Sequence, residues 1–457
     1  MLYDSEKKDI VVVLTGDLML TRRLSVFTED RFLRLRDIVR NADVAFSNFE
    51  STVRTCEEGI PTLRKGTYMT TEPHLLDDVR WLGINLVSCA NNHAFDYGEV
   101  GILSTLSHLD RAGIPHAGTG RHLTEARSPA YIDTPAGRVA LIGMTSKFDE
   151  WAQAGEQRPD FRGKPGVNPL GFQTLHVVDR QAILELKRIS EKLGLEADKQ
   201  RKKNLGFLTS SEIGVDTERE YQLLGQRFMA SDDFAVQMRA NEKDIVENLR
   251  YLREARRQAD WVIVSLHCHE VGGATFLTAR KQTEVEEWAT FAKDFSRRCI
   301  DEGADIVVGH GPHYLMGVEL YKGKPIFHSL GNLVLQGDTV RFLPAHAYSR
   351  FALDHYATPS DFFEARSKKD TQSQPADPLF WESVCAVCTF TSGKLKEILL
   401  HPLDLGFGLP RFQRGRPLLA GPEVGKRIIE RLARLSKPLG AEIIFRDGCG
   451  VIEGGPR

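Results

Sequence analysis

The sequence predicts an α/β fold. Short continuous runs rich in Val and Ile, as expected of strands buried on both faces, alternate with segments of helical spacing. The strand-like runs also end in turns that carry Asp, Glu, Asn and His, so the loops beyond the strands are expected to hold the chemistry.

In chain order, residues 10–14 read as a strand, 31–40 as a helix and 44–46 as a short strand. A helix over 75–82, a strand over 85–90, a helix over 100–112 and a strand over 139–144 continue the rhythm. Residues 149–170, rich in Gly, Pro, Arg and Gln, read as a long functional loop. Residues 176–204 read as a charged helical stretch whose run at 198–204 is a solvated face. An amphipathic helix over 241–257, a buried strand over 261–266, a long helix over 285–300 and strands at 306–308 and 326–330 follow. Residues 343–379 are aromatic and polar without a period and read as an insertion. Strands at 384–389 and 398–400, a helix at 424–435 and a strand-like 441–445 lead to a Gly-rich terminus at 448–455, read as loose. The expected organisation is one domain over 1–457, with insertions at 149–240 and 343–379 and a closing segment over 380–457.

Composition narrows the function. The chain has 41% hydrophobic and 27% charged residues and a net charge of -2, without a basic stripe, so nucleic acid is not an expected partner. The apolar run at 10–14 is too short for a signal-peptide core, and no run approaches the roughly 20 apolar residues of a membrane span. Seven cysteines scattered along the chain do not form a secreted disulfide framework, and Cys385 and Cys388 read as buried thiols. A cytoplasmic enzyme without a membrane span is expected.

Five segments place metal-competent residues just after strands. Asp17 follows the first, where a carboxylate needs a partner or serves as an N-cap. Glu50 follows the second and, alone, could be a surface residue. Asn91, Asn92, His93 and Asp96 crowd one strand-to-loop turn, where Asp96 can fix the tautomer of an imidazole. His267 and His269 alternate on extended chain, which points both to one side, and His310 and His313 follow another strand. Asp, Glu, Asn and His donors suit a divalent ion, with Mn, Zn, Fe, Mg and Ca all open.

These segments resemble the CapA family of poly-γ-glutamate (capsule) synthesis proteins, a branch of the calcineurin-like metallophosphoesterases. The resemblance rests on GDLML at 16–20, NFES at 48–51, CANNHAFDYGEVG at 89–101, the segment 266–270, and GADIVVGHGPHYLMGVELYKGKPIFHSLGNLV at 303–334. It implies a four-layer β-sandwich flanked by helices, with metal at one end of the strands. It places Asp17, Glu50, Asn92, His267 and His310 near the metal, and it sets His93 at the family's catalytic histidine. The expected catalytic set is His93, His269, His313 and Asp96. The chain departs from dinuclear phosphoesterases in Asp17-Leu18-Met19, where Asp-x-His is usual, so one ion or two are both open. It also has Cys268-His269 where relatives more often carry Trp-Gly.

The expected function is a metal-dependent enzyme acting on a peptide-like or γ-glutamyl, carboxylate-rich substrate by hydrolysis or transfer. The alternatives are a peptide epimerase of ribosomal peptide biosynthesis that uses paired histidines at Cα, a phosphoesterase, and a non-catalytic capsule-synthase subunit.

Overall fold

Alternation along the buried strands decides the architecture. On β1 (Ile10–Met19), Ile10, Val12 and Leu14 face one hydrophobic cluster while Val13 faces another. The computed structural model describes residues 7–64, 66–208, 216–217, 219–273 and 276–454; the polar start at 1–6, part of the first expected insertion and Gly455 lie outside them.

After β1 come α1 (Asp30–Arg40), β2 (Val44–Phe49), α2 (Leu76–Leu82), β3 (Leu86–Ser88), α3 (Gly98–Ala112) and β4 (Gly137–Thr145). The chain continues through α4 (Glu242–Gln258), β5 (Trp261–His267), α5 (Thr290–Asp301), β6 (Ile306–His310), β7 (Lys324–Phe327) and β8 (Asn332–Leu335). It closes with β9 (Glu382–Thr391), β10 (Lys394–Asp404) and α6 (Pro422–Ser436).

Two sheets result. In the first, β1 runs parallel to β2 and β8 and antiparallel to β9; β3 extends it beside β2 and β10 beside β9. In the second, β4, β5, β6 and β7 lie parallel in that order. Val12, Leu14 and Phe46 of the first sheet share a core with Leu141, Ile263 and Val308 of the second, so the sheets pack face to face. The outward residues Val13, Ala45, Ile142 and Val264 join a cluster with Phe32, Leu249 and Phe295 of the helices. The layers are helix, sheet, sheet, helix, an α/β sandwich as expected. Central strands are buried on both faces, which is why they read as continuous apolar runs.

Several elements differ from the expectation. The helix expected over 285–300 begins only at Thr290, because Glu287–Trp288 pairs with Val271–Gly272 as extended chain. Trp288 is buried there, against the His328 ring and with its indole N–H 3.4 Å from the Cys268 carbonyl. His176 is not helical. It lies on a strand, Phe172–Val178, in a small sheet with Glu220–Leu223, Gln226–Ala230 and Ala235–Ala240. Helix formation waits for Asp179, whose side chain caps Arg180–Lys192 by accepting the Ala182 N–H at 2.7 Å. The charged helix Leu195–Asn204 buries no residue, as a solvated face should. The segment 343–379 contains helices, Ala345–Ser349 and Pro359–Ser367.

The Gly-rich terminus is also ordered differently. Cys449–Glu453 is a strand beside β10, joined to Ile444–Arg446 by a hairpin at Asp447 and Gly448, both in the left-handed region. Cys385 and Cys388 are buried and free, and they face opposite cores of β9, so they cannot pair. Among the described residues, no helix is long and apolar enough to cross a membrane.

One glycine positions the site. A Cβ on Gly16 would stand 2.0 Å from the Gly331 carbonyl oxygen, which lies on the chain beside β1 and accepts the Asp17 N–H at 3.0 Å. The β1–β2 register shifts between Leu14 and Asp17, which re-aims the carboxylate. Gly16→Ala is therefore expected to destabilise the fold by about 1–3 kcal/mol, the cost of overpacking, and chemical denaturation will measure it.

Candidate metal centre

Parallel strands deliver the candidate residues to one end of the sandwich. Asp17 sits opposite Asn48 and Asn332 across the first sheet, and His267 sits opposite His310 across the second. Glu50 follows β2, and the turn from Asn91 to Asp96 follows β3. Asp17, His267 and His310 thus sit on the strands themselves, and Glu50 and the turn stand directly beyond strand ends.

The Asp17 carboxylate is fully buried. It accepts from the Asn48 amide at 2.8 Å and from the Gly311 N–H at 3.3 Å, and it lies 3.4 Å from His310 Nδ1 and 3.1 Å from His313 Nδ1. Burial alone would raise its pKa, but the two imidazoles hold it well below the usual carboxylate range. His313 adopts φ 66°, a left-handed conformation that a non-glycine residue keeps only where its surroundings over-determine it. Burial would lower its pKa, yet Glu50 and Asp17 raise it to about 9.

Glu50 is the distinctive residue. Its side chain is fully buried and, among the described residues, neither carboxylate oxygen has a hydrogen-bond partner. Oε1 instead stands 3.7 Å from His313 Nε2, 3.8 Å from His267 Nε2 and 3.9 Å from His93 Nε2. These separations are too long for hydrogen bonds. Donors bound at about 2.1 Å to one ion stand roughly 3.0–3.5 Å apart, only slightly closer than these. Burial and then the charge of Asp17 push the Glu50 carboxyl well above its usual range. An orphaned buried carboxylate ringed by imidazoles fits a cation.

Two compact donor groups share Glu50: Glu50 with His267 and His269, and Asp17 with Glu50 and His313. His267 Nε2 lies 2.7 Å from Asn92 Oδ1 and 2.9 Å from His269 Nε2. Burial holds both His267 and His269 well below the usual imidazole range. His310 stands behind Asp17 against the Phe46 ring, with neither ring nitrogen hydrogen-bonded, and belongs to neither compact group.

His93 has a separate support. Its Nδ1 lies 2.7 Å from Asp96 Oδ2, which also accepts the Met69 N–H at 2.7 Å, while Arg64 binds the other Asp96 oxygen. An ionised carboxylate only accepts, so Nδ1 carries the proton and Nε2 is left with its lone pair toward Glu50. Burial lowers the His93 pKa although Asp96 opposes it.

His93, His269 and His313 line one cavity of about 240 Å³, walled by Phe363, Arg366 and Arg414. A neighbouring groove shares Arg64 and Asn92 and continues past Lys147, Phe148 and Trp151. All nine residues expected from the sequence thus gather at this end of the sandwich. The residues missed there are Asn48, Asn332 and Arg366. Asn48 had a signal, since it precedes Glu50 by two residues and alternation turns it to the same side. Arg366 had none.

The chain matches the family model described as "Bacterial capsule synthesis protein PGA_cap" over residues 11–337. It is similar to the uncharacterized protein y4sH of Sinorhizobium fredii (strain NBRC 101917 / NGR234), 31% identical over 453 residues, 96% of this chain and 92% of that protein. It is also similar to the capsule biosynthesis protein CapA of Bacillus anthracis, 23% identical over 335 residues, 72% of this chain and 60% of that protein. The PGA biosynthesis protein CapA of Bacillus subtilis (strain 168) is 24% identical over 377 residues, 79% of this chain and 74% of that protein. The family match includes every donor of the two compact groups and the His93–Asp96 pair, and the chain belongs to the bacterial capsule synthesis protein family PGA_cap.

Proposed function

We propose that this chain is a divalent-metal-dependent enzyme acting by hydrolysis or transfer on a peptide-like or γ-glutamyl, carboxylate-rich substrate. The observation that carries this reading is Glu50, whose two oxygens are buried among imidazoles without a hydrogen bond, a setting that a bound cation would satisfy. Relatives named for capsule and PGA biosynthesis support the substrate class. Oxygen and nitrogen donors without thiolate suit Mn, Zn, Fe, Mg or Ca. Asp17, Glu50 and His313, with His310 beside Asp17, would hold one ion, and Glu50, His267, His269 and Asn92 a second. Such an ion, when bound, supplies Lewis acidity toward a carbonyl and acidifies a water molecule. His93, with Nδ1 held by Asp96 and Nε2 open, moves the proton at the cavity floor. The expected insertions at 149–240 and 343–379 contribute to the cavity and its groove, where they would select the substrate.

A second reading is epimerisation at Cα of a peptide residue. It is favoured by His93 and His269 facing one cavity, both kept neutral by burial and so both available as bases.

Metal-loaded protein incubated in deuterated water with γ-glutamyl peptides, a linear peptide and p-nitrophenyl phosphate separates these readings by mass spectrometry. Cleaved or transferred γ-glutamyl product, abolished by a chelator, is the expected result. Deuterium gained at one Cα without cleavage replaces it with epimerisation. Release of nitrophenol alone means a phosphoesterase, and no turnover at all means a non-catalytic subunit of capsule synthesis.

A further inference from the structure

The cavity above the histidines holds four guanidinium groups, and their partners differ. Arg64 is bound to Asp96. Arg414 binds Asp338 at 2.5 Å and Asp370 at 2.7 Å. Arg411 lies 3.6 Å from Asp370. Among the described residues, Arg366, on the helix Pro359–Ser367, bonds only to the hydroxyl of Thr67, and no carboxylate stands at ion-pair distance from it. Its neighbours are like charges: burial first, then Arg350 and Arg64, lower its pKa. A half-buried guanidinium without a counter-charge is costly to keep, and it lines a cavity whose floor is the candidate metal centre.

We infer that Arg366 is an anion subsite that receives a carboxylate of the substrate beside the metal centre. This rests on the reading of the chain as an enzyme for carboxylate-rich substrates. The planar guanidinium fork matches a carboxylate with paired hydrogen bonds, and Thr67 is the polar neighbour that already orients it. A carboxylate is the anion that the proposed substrate class brings to this cavity. The cavity, at about 240 Å³, is smaller than the roughly 300–1,000 Å³ of common ligand sites, which fits one end of a chain rather than its length. Arg366 also lies beyond the residues matched by the family model, 11–337, so this contact belongs to the part of the chain outside that match.

The test is calorimetric titration of full-length wild type and Arg366→Gln with two probes. One is a γ-linked glutamate trimer; the other is the same trimer with every carboxylate replaced by carboxamide. Wild type is expected to bind the acid roughly 10- to 100-fold tighter than the carboxamide, the scale of a charge-assisted contact, and Arg366→Gln is expected to lose that preference with metal content unchanged. Equal affinity of the two probes for wild type overturns the inference without reference to any variant, and so does a preference that survives in Arg366→Gln. Displacement of the trimer by equimolar inorganic phosphate overturns the assignment to carboxylate. Metal-dependent turnover of the trimer with an unchanged preference in the variant removes the subsite and keeps the proposed function. A lost preference without turnover keeps the subsite and removes the function.

Discussion

Glu50→Gln is expected to abolish metal retention while leaving the metal-free protein at least as stable as wild type. Glutamine keeps the shape of the side chain but cannot balance the charge of an ion, so the loss of affinity should exceed the roughly 10- to 100-fold that follows removal of an outer-sphere partner. The stability half of the expectation comes from burial. Both Glu50 oxygens lie in the interior without a hydrogen bond, and burial with the nearby Asp17 charge places the carboxyl well above the ordinary value of 4.5. A folded-state pKa above the unfolded one means that the folded protein holds the extra proton. The associated stability is present below pH 4.5 and is lost as the pH rises through the folded value. Metal-free wild type should therefore weaken toward neutrality relative to Glu50→Gln. The difference between the two isolates Glu50 from the histidines that titrate nearby. Melting curves in chelator and in added Mn or Zn measure both halves, since an ion that binds only the folded state raises the melting temperature. A metal-induced rise in Glu50→Gln equal to that of wild type contradicts the expectation.

His93→Gln is expected to lower turnover by about 10²- to 10⁴-fold with metal content retained, the usual contribution of a positioned acid or base. His93 is connected to the site in two ways. Nε2 faces Glu50 at 3.9 Å, and Nδ1 is anchored at 2.7 Å to an Asp96 that Arg64 and the Met69 N–H hold in place. The amide of glutamine can still bond to Asp96, so the turn after β3 keeps its shape while the proton carrier is lost. Elemental analysis beside steady-state kinetics separates this outcome from collapse of the site. A fall in metal content that matches the fall in rate would make His93 a ligand instead.

Much of the fold and of the candidate site was legible in the sequence, for a physical reason. Strands buried on both faces must be continuous and apolar, so β1, β5 and β6 announce themselves, and the polar residues that end them stand out against that background. Asp17, Glu50, His267 and His310 are all of this kind. What could not be read depends on partners distant in sequence. Trp288 continues a helical pattern, yet its burial against His328 keeps it on extended chain. His176 lies on a strand because Ala235–Ala240 pairs beside it, a contact that no local pattern encodes. The hairpin at Asp447-Gly448 was legible in principle, since that dipeptide is a turn signal, but the surrounding glycines obscured it. The grouping of donors also depends on distant partners. His313 stands 3.1 Å from Asp17, and His267 stands 3.8 Å from Glu50, only once the two sheets are packed face to face.

If Glu50 is the shared ligand of a metal centre, anomalous diffraction from crystals soaked in Mn will locate the ion against it. The expected result is an anomalous peak within bonding distance of Glu50, between it and His267 and His269 or between it and Asp17 and His313. Crystals that diffract well and show no peak at Glu50, or a peak only at distant surface carboxylates, would contradict it.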